Sequence, residues 1–70
     1  MITVHCKTTH KDFGDVFIAE HRILCDGDLS NKQDKIAALR EAKQRMVYLL
    51  AEDYGYGWDV AESSEILLSF

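Results

Sequence analysis

The fold is decided by residues 2–25, which read ITVHCKTTHKDFGDVFIAEHRILC. Polar and apolar residues alternate through residues 2–10, which is the pattern of a half-buried β-strand. Residues 16–25 are apolar on both parities, so the pattern predicts a second strand without fixing its buried side. We place inward the parity whose only polar member is His21. That parity comprises Phe17, Ala19, His21, Ile23 and Cys25.

The register of this hairpin depends on the turn between its strands, and two registers are open. A tight turn at Phe13-Gly14 pairs Ile2 with Cys25 and Cys6 with His21. A wider loop pairs Cys6 with Cys25, and only that loop is compatible with a disulfide. Turn chemistry alone does not choose between the two registers.

A long helix is predicted after the break at Asp26-Gly27-Asp28, from about Ser30 to Tyr54. Ser30 is the expected N-cap, with Gln33 as its capping-box partner three residues on. Gly55 is the expected C-cap, because glycine adopts the left-handed conformation that ends many helices. Apolar residues share one face of this helix at helical spacing. They are Ile36, Leu39, Ala42, Met46, Val47 and Leu50.

Residues 58–70 are predicted to return to the sheet. Trp58-Asp59-Val60 alternates between apolar and polar, and Ile66 to Phe70 is an apolar strand. A right-handed crossover then places the third strand beside the first. The fold class is α+β with element order ββαβ: a three-stranded antiparallel sheet in order 2-1-3 and one long helix packed on one face. We expect residues 1–70 to form a single small domain.

The other face of this sheet has no cover. Val16, Ile18 and Leu24 lie on it, and Leu67 joins them in one of the possible registers of the third strand. Both sheet edges are open. Such a face and such edges are poorly suited to water. We therefore expect the chain to form a homodimer.

The charge of the chain is uneven. Its 70 residues carry a formal net charge of −4, yet residues 46–70 contain no Lys or Arg. This balance is unlike the basic profile of a nucleic-acid-binding domain, and an acidic surface attracts basic ones. No apolar run is long enough for a membrane span, and the first residues lack a signal-peptide pattern. We expect a cytoplasmic protein, in which Cys6 and Cys25 are free thiols.

The histidine and cysteine spacing, Cys6-x3-His10 and His21-x3-Cys25, raises the question of a zinc site. Residues four apart on a strand are separated by roughly 13 Å, too far to share one ion. Cys6 with His21 resembles a nucleophile and base, but no third group orients them. We expect no metal, no cofactor and no enzymatic activity.

The segment from Tyr48 to Asp59 is the most informative functional feature, because it combines aromatic residues with acids. Aromatic residues dominate protein–protein binding energy, and acids around them favour a basic partner. We predict a non-enzymatic protein-binding module, an inhibitor or modulator of the kind encoded by phages or mobile elements. The alternative is a metal- or nucleic-acid-binding domain that uses the His/Cys set or the basic half of the helix. The predicted partner-binding residues are Tyr48, Glu52, Asp53, Tyr56, Trp58, Asp59 and Glu62.

Overall fold

The computed structural model describes residues 1–12 and 15–70, and the side chains of residues 1–9 and 18–70. The turn predicted at Phe13-Gly14 and the side chain of Phe17 lie outside the described residues. The chain forms five elements in order: β1 (Ile2–Asp12), β2 (Asp15–Cys25), α1 (Lys32–Glu52), α2 (Trp58–Ser63) and β3 (Ile66–Ser69).

The three strands form one antiparallel sheet in the order β2-β1-β3, which confirms the predicted α+β fold and strand order. Ile2 pairs with Cys25 and Cys6 with His21, so the hairpin has the tighter of the two registers. The wider register, in which the two cysteines pair, is wrong. Cys6 and Cys25 are both buried free thiols.

The inner face of the sheet is the face that α1 covers. The prediction that the parity of His21 points inward is confirmed where side chains are described: Ala19, Ile23 and Cys25 are buried and His21 is half-buried. Alternate residues of β1 complete this face, because successive side chains of a strand point to opposite sides. The buried residues of β1 are Ile2, Val4, Cys6 and Thr8.

Helix α1 begins one residue later than predicted. Asn31 is the N-cap, and its side chain accepts hydrogen bonds from the backbone N–H groups of Gln33 and Asp34. Ser30 instead completes a turn before the helix, where its N–H and hydroxyl both donate to Asp28 Oδ1, at 2.9 and 2.7 Å. These two hydrogen bonds lower the pKa of Asp28. Asn and Ser are about equally good N-caps, so sequence alone could not rank them.

The apolar stripe of α1 differs from the predicted one at its start. Its buried residues are spaced four apart, at Ala38, Ala42, Met46 and Leu50. Ala38 was missed, whereas the predicted Ile36 is exposed. The two alanines allow a close approach to the sheet, and the Cys25 thiol lies 3.6 Å from the Ala38 carbonyl oxygen.

The end of α1 and the segment after it also differ from the prediction. The C-cap is Asp53, not Gly55; Gly55 follows with φ 72° and turns the chain away from the helix axis. Trp58-Asp59-Val60 is not a strand, because Trp58–Ser63 forms the short helix α2. Within this helix Ala61 is fully buried in the core, whereas Trp58, Asp59 and Val60 are exposed. Three alternating residues were too few to distinguish a strand from a helical turn.

Candidate docking surface

The predicted partner-binding residues lie at the C-terminal end of α1 and along α2. We call them the acidic aromatic end: Tyr48, Glu52, Asp53, Tyr56, Trp58, Asp59 and Glu62. Helix α1 supplies the first two, Asp53 caps that helix, Tyr56 lies between the two helices, and α2 supplies the last three. Contacts between the two helices bring these segments together.

Tyr48 and Trp58 form the centre of this surface. Their ring centroids are 5.7 Å apart at an angle of 68°, which is an edge-to-face arrangement. Such a pair is more favourable than a face-to-face sandwich. Tyr48 remains 57% exposed and Trp58 47% exposed, so the contact orients the rings without removing them from water. An exposed aromatic pair is the type of surface on which binding hot spots form.

Trp58 also forms one wall of a shallow groove between α1 and α2. Lys43, Gln44 and Val47 line its α1 side, and Glu62 lies with Trp58 on the α2 side. The sequence pattern assigned Val47 to the helix stripe and Lys43 to the basic half of the helix, and it did not connect Gln44 with binding. Only the position of α2 against α1 shows that these residues belong to the same groove.

The tyrosines after α1 have different roles. Tyr56 is half-buried and packs against the core. Tyr54, which was not among the predicted binding residues, is exposed, and its hydroxyl lies 2.7 Å from His21 Nε2. Its ring also contacts those of His21 and Tyr56 at 5.8 and 5.9 Å. The three rings connect the acidic aromatic end to strand β2.

The charge at this end of the molecule is almost entirely negative. Glu52, Asp53, Asp59 and Glu62 are all exposed, and residues 46–70 provide no Lys or Arg to neutralise them. Lys43 lies on the α1 side of the groove and contributes a positive charge there. Exposed carboxylates around an aromatic centre favour encounter with a positively charged surface.

Cys6 and Cys25 are the candidate nucleophiles of the chain, and their surroundings do not lower the pKa of either thiol. Burial raises the pKa of the Cys6 thiol, and the charge of Cys25 raises it further. Cys6 and His21 are paired across the strands, but the described hydrogen bond of the His21 ring goes to Tyr54. A nucleophilic cysteine needs a lowered pKa and an adjacent base. This pair therefore gives no support to thiol catalysis.

No group of three or more His, Cys, Asp or Glu side chains in the described part of the chain is arranged to hold a metal ion. His10, a member of the Cys6-x3-His10 spacing, has a side chain outside that part. The tighter hairpin register brings only Cys6 and His21 of the His/Cys set opposite each other.

The outer face of the sheet is the face away from α1. Ile18, Leu24 and Leu67 are each more than half exposed on it, as the sequence predicted for an uncovered face. Charged residues lie between them. Lys7 Nζ is 3.6 Å from Glu20 Oε1, a contact between largely exposed side chains.

No protein-family model, curated protein or solved structure matches this chain. Among the described residues, no helix has the length and apolar character needed to cross a bilayer.

Proposed function

We propose that this chain is a non-enzymatic protein-binding module that docks on a basic protein surface through the acidic aromatic end. The observation that carries the proposal is the exposed Tyr48–Trp58 pair beside four exposed carboxylates, in a segment without Lys or Arg. The aromatic pair supplies contact area and the carboxylates supply orientation and a fast encounter.

The chemistry of such a surface suggests how the module acts. Carboxylates that dock on a basic protein surface occupy the positions at which nucleic-acid phosphates bind, since both are anions that pair with Lys and Arg. The proposed role is therefore an inhibitor or modulator of a nucleic-acid-binding protein. The proposal includes association of two copies, because the outer face of the sheet leaves Ile18, Leu24 and Leu67 exposed.

The test begins with capture of binding proteins from an extract of the source cell, followed by titration of each purified candidate. Trp58→Ala should weaken binding by at least about thirtyfold, the loss typical of a hot-spot residue. The triple variant Asp53→Lys/Asp59→Lys/Glu62→Lys should abolish binding at low salt. Circular dichroism checks that each variant is folded.

The matched control is Asp26→Lys, which reverses an exposed acid outside the acidic aromatic end. It should change the affinity by no more than about threefold, because a single exposed charge far from an interface is screened. Binding that survives the triple reversal would refute the proposal, and so would direct binding of the module to DNA or RNA at low salt.

A further inference from the structure

We infer that two copies of this chain join through the outer edge of β2, antiparallel and centred on His21, so that the two sheets become one six-stranded sheet. The inference rests on the proposed association of two copies. It is independent of docking at the acidic aromatic end, because its central residues, Glu20 and Arg22, lie outside that surface.

The outer edge of β2 has unpaired backbone groups. Among the described residues, β2 is hydrogen-bonded to β1 alone, so its other side has no neighbouring strand. The Leu24 carbonyl points to this side, because it accepts a hydrogen bond from Arg45 Nη1 at 3.0 Å. Backbone groups of an antiparallel strand alternate between its two sides. Ile18, Glu20 and Arg22 therefore also present their N–H and C=O groups to the open edge.

Arg45 covers this edge only at its Leu24 end. Its guanidinium is held by Glu41 at 2.7 Å while it contacts the Leu24 carbonyl. Natural sheets protect exposed edges with such devices, since unpaired strands associate. Among the described residues, none covers the backbone groups of Glu20 and Arg22 in this way, and the centre of the edge is open to another strand.

The sequence along the edge is complementary to itself. It reads Ile-Ala-Glu-His-Arg-Ile-Leu over residues 18–24, with matching character on either side of His21. In an antiparallel pair centred there, Ile18 lies opposite the second copy's Leu24 on the outer face, and Ala19 lies opposite its Ile23 on the inner face. Each residue keeps its own face, because the pairing joins positions of the same parity.

The charges select this register. Centring on His21 places Glu20 opposite Arg22 of the second copy, twice in each dimer. Centring on Glu20 or on Arg22 instead places like charges opposite each other, which is destabilising. Arg22 has no ion-pair partner among the described residues, and the contact of Glu20 with Lys7 is long and exposed. Both side chains are therefore available to a second copy.

A second copy fits this edge better than it fits β3. Strand β3 has only four residues, Ile66–Ser69, whereas β2 has eleven. With the Leu24 carbonyl held by Arg45, the edge of β2 still presents Ile18, Glu20 and Arg22, whereas a four-residue strand presents two residues to one side. Joining at β2 also aligns the two outer faces, so that Ile18 and Leu24 of both copies pair across the new contact.

The experiment is sedimentation equilibrium of four proteins at low salt, from micromolar to millimolar concentration: the unaltered chain, Glu20→Arg, Arg22→Glu, and their equimolar mixture. Each single variant places like charges opposite each other, so its dimer should weaken by at least about tenfold. In the mixture, the new Arg at position 20 faces the new Glu at position 22, and Arg22 faces Glu20. The mixture should therefore recover the affinity of the unaltered dimer as a heterodimer.

Arg40→Glu is the control, because it makes the same charge change at an exposed position of α1. It should leave the dimer unchanged. If the unaltered chain is a monomer throughout, both the association and this edge are refuted. If it is a dimer that neither single variant weakens, or that the mixture does not restore, the copies associate elsewhere and the inference is wrong. Titration of the docking partner with the single variants reports separately on the acidic aromatic end.

Discussion

The two faces of this sheet are built from alternate residues of the same strands, yet they differ in what they do. On the inner face, β1 buries Ile2, Val4 and Cys6 under the stripe of α1. On the outer face, Thr3 of the same strand is half-buried, and His5 and Lys7 are exposed. The inner face holds the fold together, whereas the outer face carries exposed charged side chains such as Lys7, Glu20 and Arg22. The difference teaches that neighbouring residues of one strand contribute to separate surfaces, because successive side chains point to opposite faces.

The largest expected difference between the faces comes from truncating one apolar residue on each. Ile23→Ala removes a buried side chain of the inner face and should lower the free energy of unfolding by about 2–4 kcal/mol. Leu67→Ala removes a side chain that is 59% exposed and should cost less than about 1 kcal/mol. Urea unfolding of both variants measures the difference. Equal losses would mean that the outer face is buried in solution.

A second test uses two neighbouring threonines. Thr8 is buried on the inner face, and its hydroxyl donates a hydrogen bond to the Glu65 carbonyl oxygen at 2.6 Å. Thr8→Val removes that donor and should lower the stability by about 1–2 kcal/mol. Thr9→Val, at an exposed position, should change it by less than about 0.5 kcal/mol. Urea midpoints compare the two variants, and a Thr8→Val protein as stable as the unaltered chain would contradict the role of this hydrogen bond.

The smallest expected effect is a change of stability with pH. It arises on the inner face, because Cys6 and Cys25 both lie there. Burial raises the pKa of Cys6 and of Cys25 above the ordinary value of 9.0. A raised pKa means that the folded chain binds the thiol proton more tightly than the unfolded chain does. The stabilisation is complete below that ordinary value and is lost as the pH rises through the folded-state values.

The measurement compares urea midpoints of the unaltered chain and of Cys6→Ala/Cys25→Ala between about pH 8 and pH 10.5. The unaltered chain should lose more stability over this range than the double variant does. Tyr and Lys residues titrate in both proteins, so the difference between their slopes isolates the thiols. Parallel slopes would show that the thiolates form without cost in the folded state.

The longer the alternating or helical pattern of a segment, the better its secondary structure could be predicted. Residues 2–10 alternate over many positions and predicted the first strand. The inward parity of the second strand followed from His21 being its only polar member, and the strand order followed from the handedness of the crossover. Trp58-Asp59-Val60 offered only three alternating residues, and the segment is a helix that buries Ala61 in the core. Asn31 and Ser30 are equivalent as N-caps by residue type, and the choice between them depended on the turn that Asp28 forms with Ser30.

The candidate site was predictable as a set of residues but not as a surface. Composition identified Tyr48, Trp58 and the acids near them, because a segment without Lys or Arg is visible in the sequence. The edge-to-face contact of Tyr48 with Trp58 required a helix at residues 58–63, which the sequence reading did not contain. The packing of Tyr56 against the core and the exposure of Tyr54 likewise depend on the turn at Gly55.

By itself the sequence determined the α+β fold, the order of the strands and the negative charge of the last third of the chain. The strands, the helix and the charge follow from periodicity and composition, which are local properties of the chain, and the strand order follows from the handedness of the crossover. Tertiary structure alone decided the hairpin register, the helical state of residues 58–63 and the contact of Tyr48 with Trp58. These three features depend on which side chains pack against α1 and on which backbone groups form hydrogen bonds. Both are determined by residues that are distant in the chain.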